Sequence, residues 1–309
     1  MTTAAAIPVT HGELEGDEAL ETLRGAGRRR LLADTVVRFR AADGFSHARA
    51  LAFQLTLALL PAIIAVVGFA ATVGQEDVTR AVRDTIHAFA PGAVGDILTQ
   101  ALQQGSRQGH GRGQAALVGG LAAALFAGTS AMAQVERSAN RLYGIERDRP
   151  FVRRYAVALL LAVTAGGAGL LSLVAIVGGA AVRSGLGDGD GFDAIWHVAR
   201  WPVGVAAAVI AVALLFEVAP DRRQPEWTWL AVGAAISALL WLAFMGLLVL
   251  YVGATGSFGA TYGPIAGTIG VLAWAFGSSI ALLVGLAFAA QLEAVRAGVR
   301  APRVERTHN

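Results

Sequence analysis

The chain contains no cysteine and no lysine, and charged residues of either sign are scarce. Without cysteine, disulfide bonds and thiolate-bound metals are excluded. Charged residues make up only 15% of the sequence, whereas soluble domains carry roughly 25%. The net charge is +3, so no broad basic surface for nucleic acid is indicated. These shortages argue against a soluble protein.

Sequence motifs for catalysis are also missing. The chain has no HExxH, GxSxG or Walker A pattern, and its six histidines are scattered. We therefore expect neither an enzyme nor a bound metal or cofactor.

Long apolar stretches are what the sequence has in abundance. Hydrophobic residues make up 55% of it, and the mean hydropathy is +0.56. A helix needs about 20 apolar residues to cross a bilayer, and six stretches reach that length: about 48–74, 115–135, 155–182, 201–219, 227–252 and 264–290. This predicts an all-α integral membrane protein, a bundle of six transmembrane helices within residues 47–295.

Arginine sets the expected orientation. If the N-terminus lies inside, 19 of the 25 arginines fall in inner segments and 6 in outer segments. The positive-inside rule then places both termini in the cytoplasm, with residues 296–309 as a basic cytoplasmic tail.

Two flanking regions lie outside the predicted spans. Residues 1–46 lack an apolar core and carry acidic residues at positions 13, 15, 17, 18 and 21, where a signal peptide would be positively charged. We expect a disordered cytoplasmic start followed by an amphipathic stretch over 20–46. The first outer loop, about 75–113, has apolar residues at helical spacing on both sides of Pro91. This pattern predicts amphipathic helices at the outer surface.

An arginine-rich stretch, "SANRLYGIERDRPFVRR", fills residues 138–154. It could bind RNA, or it could be a cytoplasmic turn that contacts anionic lipid head groups. With few aromatic residues nearby, the turn is favoured, with membrane lipids as partners and no nucleic acid. The candidate head-group residues are Arg141, Arg149, Arg153 and Arg154, together with Gln54, whose amide lies within the first span and needs a polar partner.

Four motifs give the chain a family resemblance. "RALAFQLTLALLPAII", "ERSANRLYGIERDRPFVRRYAVALL", "LLFEVAPDRRQPEWTWLAVGAAISALLWLAF" and "YGPIAGTIGVLAWAFGSSIALLVG" occur in that order. Together they resemble the YihY/BrkB family over about residues 45–295. The residues that carry the resemblance are Pro61, Asn140, Phe151, Pro220, Tyr262, Gly263, Trp274 and Gly285.

The resemblance implies a bacterial inner-membrane protein with six helices. The family was once mislabelled ribonuclease BN, one branch is called a virulence factor, and envelope or lipid-export roles are suggested for some members. Here Gln54 stands where the family often has an aromatic residue. Leu286 and Ala287 stand where a glutamate often follows the sixth-span glycine.

Two functions remain open from sequence. The first is a transporter or exporter of a lipid or other amphiphile in the cell envelope, favoured by charge-poor, glycine-rich spans and by Pro61, which should kink the first span. The alternative is a membrane scaffold that does not transport and acts through its arginine-rich loop. A homo-oligomer is compatible with either function.

Overall fold

A computed structural model describes residues 4–10, 16–73, 110–177, 190–254, 266–299 and 302. Every regular element in these ranges is an α-helix: α1 Gly16–Gly25, α2 Arg28–Ala41, α3 Gly44–Val73, α4 His110–Leu142, α5 Phe151–Val177, α6 Asp190–Val218, α7 Trp227–Ala254 and α8 Ala266–Arg296. The prediction of an all-α protein is confirmed for these ranges. The predicted outer helices over residues 75–109 lie outside them, as do Tyr262, Gly263 and most of the tail.

Five helices in the described residues are long and apolar enough to cross a membrane. The qualifying stretches lie in α3, α4, α5, α7 and α8: Gly44–Ala65, Leu117–Leu142, Phe151–Ala168, Trp229–Tyr251 and Thr268–Arg296. Helix α6 contributes a shorter apolar stretch, Pro202–Val218, where sequence predicts the fourth span. A multi-pass membrane protein follows from these helices and their apolar character. The fourth span, which would bring the number of crossings to six, stays a prediction.

The six long helices, α3 to α8, form a ring in chain order. Each packs against the next, and α8 returns to contact α3. Helix α8 is the most enclosed, with 50% of its apolar stretch buried against 17–22% for the other four spans. It is so enclosed because it also contacts α1, α2 and α4.

Small residues allow α7 and α8 to cross closely. A Cβ added at Gly285 would overlap Ser237 Oγ and would lie 2.6 Å from the Gly233 carbonyl oxygen. Ser237 also donates a hydrogen bond to the Leu282 carbonyl at 3.3 Å. Gly285, one of the family-motif residues, is therefore a packing residue at this crossing.

Two helices run past the ends predicted for their spans. Helix α4 continues to Leu142 and α8 to Arg296, whereas hydropathy predicts ends near 135 and 290. Hydropathy falls where Glu136 and Glu293 appear, but both carboxylates are buried and paired with arginines. The helices can continue there because the charges are matched inside the protein.

The predicted amphipathic stretch over 20–46 forms two helices that break at Gly27, whose φ is 74°. Helix α2 packs on α8 and α3. Leu31 and Phe39 are buried, whereas Leu32 and Val36 are more than half exposed. Fully buried Arg38 lies on the same helix, so α2 carries a polar contact into the bundle.

Residues 4–10, for which composition predicts disorder, instead lie against the bundle; we call them the clasp segment. Ala4, Ala5, Ile7 and Thr10 are all at most 9% exposed. The clasp segment meets α2, the α4–α5 turn, the α6–α7 turn and the end of α8, and we call this end of the bundle the Arg-rich end. Composition missed this order because short apolar and polar residues become ordered only through tertiary partners.

Candidate functional site at the Arg-rich end

Arg149 is the centre of one buried ion-pair cluster. Its Nη1 donates to Glu136 Oε2 at 2.7 Å, and its Nε donates to Asp221 Oδ1 at 3.1 Å. The Arg149 side chain is 8% exposed and that of Glu136 is 1% exposed. We call these three residues the Arg149 cluster. It ties the α4–α5 turn to α4 and to the α6–α7 turn.

The same guanidinium group also binds the C-terminal end of α6. Arg149 donates to the carbonyl oxygens of Val218, Ala219 and Pro220 at 3.0, 2.8 and 2.8 Å. The last carbonyls of a helix have no partner within that helix and carry partial negative charge. Arg149 therefore satisfies these carbonyls and neutralises the end of α6.

The α4–α5 turn is built from local contacts. Gly144 has a φ of 77°, and the amide of Ile145 donates to the Asn140 carbonyl at 2.8 Å, as in a glycine-terminated helix end. Arg141 donates to the carbonyls of Ile145 and Glu146 at 2.6 and 2.7 Å. These bonds hold the loop in one conformation.

Asn140 links this turn to the α6–α7 turn. Its side-chain amide donates to Asp148 Oδ1 at 3.1 Å, and its oxygen accepts from the backbone amide of Asp221 at 2.8 Å. Asp148 also lies 3.4 Å from Arg141 Nη2. The sequence motif that contains Asn140 and Arg149 thus forms a joint between two turns.

Glu293 anchors a second buried cluster at the end of α8. Its Oε1 accepts from Arg222 Nη2 and from the Thr10 hydroxyl, each at 2.5 Å. The side chains of Arg222 and Glu293 are 5% and 1% exposed. Arg222 also donates to the carbonyls of Ile7 and Pro8 at 3.1 and 3.0 Å. We call Glu293, Arg222 and Thr10 the Glu293 cluster.

Arg38 is fully buried beside the Glu293 cluster. Its Nε donates to Gln291 Oε1 at 2.7 Å, and its Nη1 donates to the carbonyls of Ala5 and Leu142, both at 3.0 Å. Burial lowers the pKa of Arg38 to about 10, although Tyr143 and Glu293 act in the opposite direction. The guanidinium stays charged at neutral pH and joins α2, α8, the clasp segment and the end of α4.

Tyr143 completes this region. Its ring lies 4.9 Å from the Arg222 guanidinium carbon, in a cation–π contact. The side chain is buried, and burial raises the pKa of its phenol above the ordinary value. Tyr143 therefore stays neutral and presents its ring to a buried cation.

The four candidate head-group arginines separate into two pairs. Arg141 and Arg149 are largely buried and bonded within the protein. Arg153 is exposed. Arg154 is half-buried, with its guanidinium carbon 5.4 Å from the centre of the Tyr155 ring. Of the four, only Arg153 is exposed.

The other predicted residues are dispersed over the molecule. Gln54 is half-buried in α3 and forms no hydrogen bond with another described residue. Pro61 lies inside continuous α3, and Trp274 is half-buried in α8. Phe151 is 74% exposed, with its ring 4.7 Å from that of Tyr155. The structure brings together Asn140, Arg149 and Pro220, which meet at the Arg149 cluster.

Sequence reasoning missed the Glu293 cluster and Arg38. In the sequence, Arg222 is one of the inner-side arginines with no indicated partner, and Glu293 lies beyond the predicted sixth span. One signal was present, because Gln291 and Glu293 follow an apolar helix without a break. Their partners are far away in the sequence, and Thr10 is 283 positions from Glu293.

A family model described as virulence factor BrkB matches residues 35–308. The chain belongs to the BrkB family. This confirms the resemblance, and the match includes the residues of the Arg149 cluster.

One curated relative of this BrkB-family chain is the ribonuclease-like protein YfkH of Bacillus subtilis (strain 168). The two are 25% identical over 260 residues, which cover 82% of this chain and 92% of the relative. No solved structure matches the chain. Within the described ranges, no three His, Asp or Glu side chains are grouped so that they could hold a metal ion.

Proposed function

We propose that this BrkB-family protein moves a lipid or similar amphiphile across the bacterial inner membrane and binds its anionic head group at the Arg-rich end. In this proposal the chain crosses the membrane six times, Pro202–Val218 being the fourth crossing, and the Arg-rich end faces the cytoplasm. The arginine distribution supports that orientation.

The observation that carries the proposal is an exposed surface at the start of α5. Phe151 and Val152 are 74% and 79% exposed, and exposed Arg147 and Arg153 flank them. We call these four residues the α5 surface. Apolar side chains beside cations suit the boundary between acyl chains and anionic head groups. Phe151 opens an apolar stretch long enough to span.

Within the arginine-rich stretch, Arg153 and Arg154 are the proposed head-group contacts. For Arg141 or Arg149 to bind a lipid phosphate, the bonds that hold the α4–α5 turn and the end of α6 would first have to break. Breaking a buried ion pair costs about 3–5 kcal/mol. Arg153 requires no such rearrangement because its side chain is already exposed.

Gln54 supplies a polar group deeper in the same bundle. It lies ten residues into α3, or roughly 15 Å along the helix at 1.5 Å per residue. A half-buried amide in an apolar helix is costly unless it finds a polar partner. We propose that it contacts the polar part of the amphiphile during passage.

The test is translocation of a fluorescent anionic phospholipid by purified protein in liposomes, read by quenching from outside. Arg153→Glu with Arg154→Glu should abolish protein-dependent movement by repelling the phosphate. Arg24→Glu is the matched control, because Arg24 is also exposed but lies on α1. The control should retain activity.

Equal activity of the double variant and the control would reject the head-group role. No movement by any folded, inserted protein would instead favour the alternative function, a membrane scaffold that acts through its arginine-rich loop. A nuclease is not proposed. A nuclease would have to be considered if highly purified protein cleaved RNA and if this activity were lost on changing one acidic or histidine residue.

A further inference from the structure

We propose that the clasp segment is a releasable lock that closes the Arg-rich end of the bundle. It is seven residues long and non-helical, and it contacts α2, the end of α4, the α6–α7 turn and the end of α8. Such a lock would control whether water reaches the buried charged groups of Arg38, Arg222 and Glu293.

Backbone hydrogen bonds hold one edge of the clasp segment. The amide of Ala4 donates to the Arg141 carbonyl at 3.1 Å, and that of Ile7 donates to the Tyr143 carbonyl at 3.4 Å. The amide of Ala5 donates to the Pro302 carbonyl at 3.0 Å. The segment therefore pairs with the end of α4 and with the chain beyond α8.

Buried charges hold the other edge. The carbonyls of Ala5, Ile7 and Pro8 accept hydrogen bonds from Arg38 and Arg222. The Thr10 hydroxyl donates to Glu293. The clasp segment thus supplies partners to three charged groups that are nearly removed from solvent, so its departure would open these groups to water.

Two features make the contact suited to release. Ala6, Pro8 and Val9 are exposed, so nearly half of the segment buries little surface. The Arg149 cluster joins α4, the α4–α5 turn and the α6–α7 turn without any residue of the segment. The bundle can therefore stay assembled at this end when the clasp leaves, as a lock requires.

Gly144 shows how closely the segment fits. A Cβ at this position would overlap Ala6 Cα and would lie 2.6 Å from Ala6 nitrogen. Backbone approaches this near to the turn only because a glycine is present. The α4–α5 turn is shaped to receive the clasp.

The absence of cysteine permits a direct test by single-cysteine labelling. Ser138→Cys is nearly isosteric, and Ser138 is 1% exposed on α4, one turn before Arg141. In this background Thr10→Ala removes the hydroxyl that binds Glu293. Val9→Ala is the matched control, because Val9 is 56% exposed in the same segment.

We expect Thr10→Ala to raise about tenfold the rate at which a polar reagent modifies the thiol at position 138, since a hydrogen bond to a charged group is lost. Val9→Ala should leave the rate unchanged. In a separate background, Ser279→Cys places the thiol at a fully buried position in the middle of α8. It should stay unreactive throughout, which distinguishes local release from general unfolding.

Equal labelling of the two variants would overturn the proposal. So would unfolding of Thr10→Ala, seen as loss of the melting transition or as labelling at position 279, because the segment would then be a folding element. Deletion of residues 2–10 provides a second measurement. If the deleted chain folds, it should label at least as fast as Thr10→Ala, and slower labelling would also count against the lock.

Discussion

Replacement of Arg149 by alanine should destabilise the protein far more than replacement of Arg153, four positions further along the chain. Arg149 contacts Glu136, Asp221 and three carbonyls at the end of α6. With the arginine gone, a carboxylate that is 1% exposed is left without its cation. Removing one partner of a buried ion pair lowers the free energy of unfolding by about 3–5 kcal/mol.

Other contacts set the limits of this estimate. Asp221 is 29% exposed and becomes solvated when Arg149 is removed, so its loss adds little. The carbonyls of Val218, Ala219 and Pro220 lose a donor, at roughly 1 kcal/mol each unless water replaces it. We therefore expect a loss of at least about 3–5 kcal/mol for Arg149→Ala and less than about 0.5 kcal/mol for exposed Arg153→Ala.

Equilibrium unfolding in detergent micelles measures this difference, with the fluorescence of the six tryptophans as the signal. The double variant Glu136→Leu with Arg149→Met should be more stable than Arg149→Ala, because no unpaired charge is left buried. Similar stabilities for Arg149→Ala and Arg153→Ala would show that the pair is not buried in the working protein. A double variant no better than Arg149→Ala would contradict the assigned cause.

Two further predictions concern packing and pH. Gly285→Ala should destabilise the protein by about 1–3 kcal/mol, because the added Cβ would overlap Ser237 and the backbone of α7. Gly270→Ala should cause no loss, because no atom lies within 4 Å of its added Cβ. Equal melting temperatures for the two variants would contradict the close crossing of α7 and α8. Raising the pH above about 10 should reduce stability through Tyr143, because the buried phenol resists ionisation while the unfolded one ionises. Arg38, with its pKa lowered to about 10, acts in the opposite direction over the same pH range. The comparison is therefore with Tyr143→Phe, which should lose less stability than the original chain between about pH 9.5 and 11. Parallel curves of stability against pH for the two proteins would refute the effect.

Hydropathy was enough to predict five long apolar helices, because an apolar run of sufficient length favours a membrane helix whatever its neighbours are. The helix bounds differ most at α6, which begins at Asp190 and not near 201, and next at the C-terminal ends of α4 and α8. Glu136 and Glu293 lower the local hydropathy, yet α4 and α8 continue through them. Their arginine partners come from the turns after α4 and α6, and a sliding window does not see these contacts.

In the arginine-rich stretch, too, the sequence predicts the local structure but not the tertiary contacts. Sequence indicated that residues 138–154 form a turn between two helices, and the structure places the turn between α4 and α5. Sequence did not separate buried Arg149 from exposed Arg153, since both are arginines in one short polar run. Burial depends on the end of α6, about 70 positions away.

The amino-acid sequence by itself determined the helical class, the abundance of membrane-length apolar stretches and the family, since each depends on local composition or on motifs in order. Only the tertiary structure decided that Thr10, Arg222 and Glu293 form one buried cluster, and that residues 4–10 are held against the Arg-rich end. The physical reason is that a charge in an apolar protein must find a partner. Glu293 lies 71 residues from Arg222 and 283 from Thr10, so these contacts form only once the helices are packed.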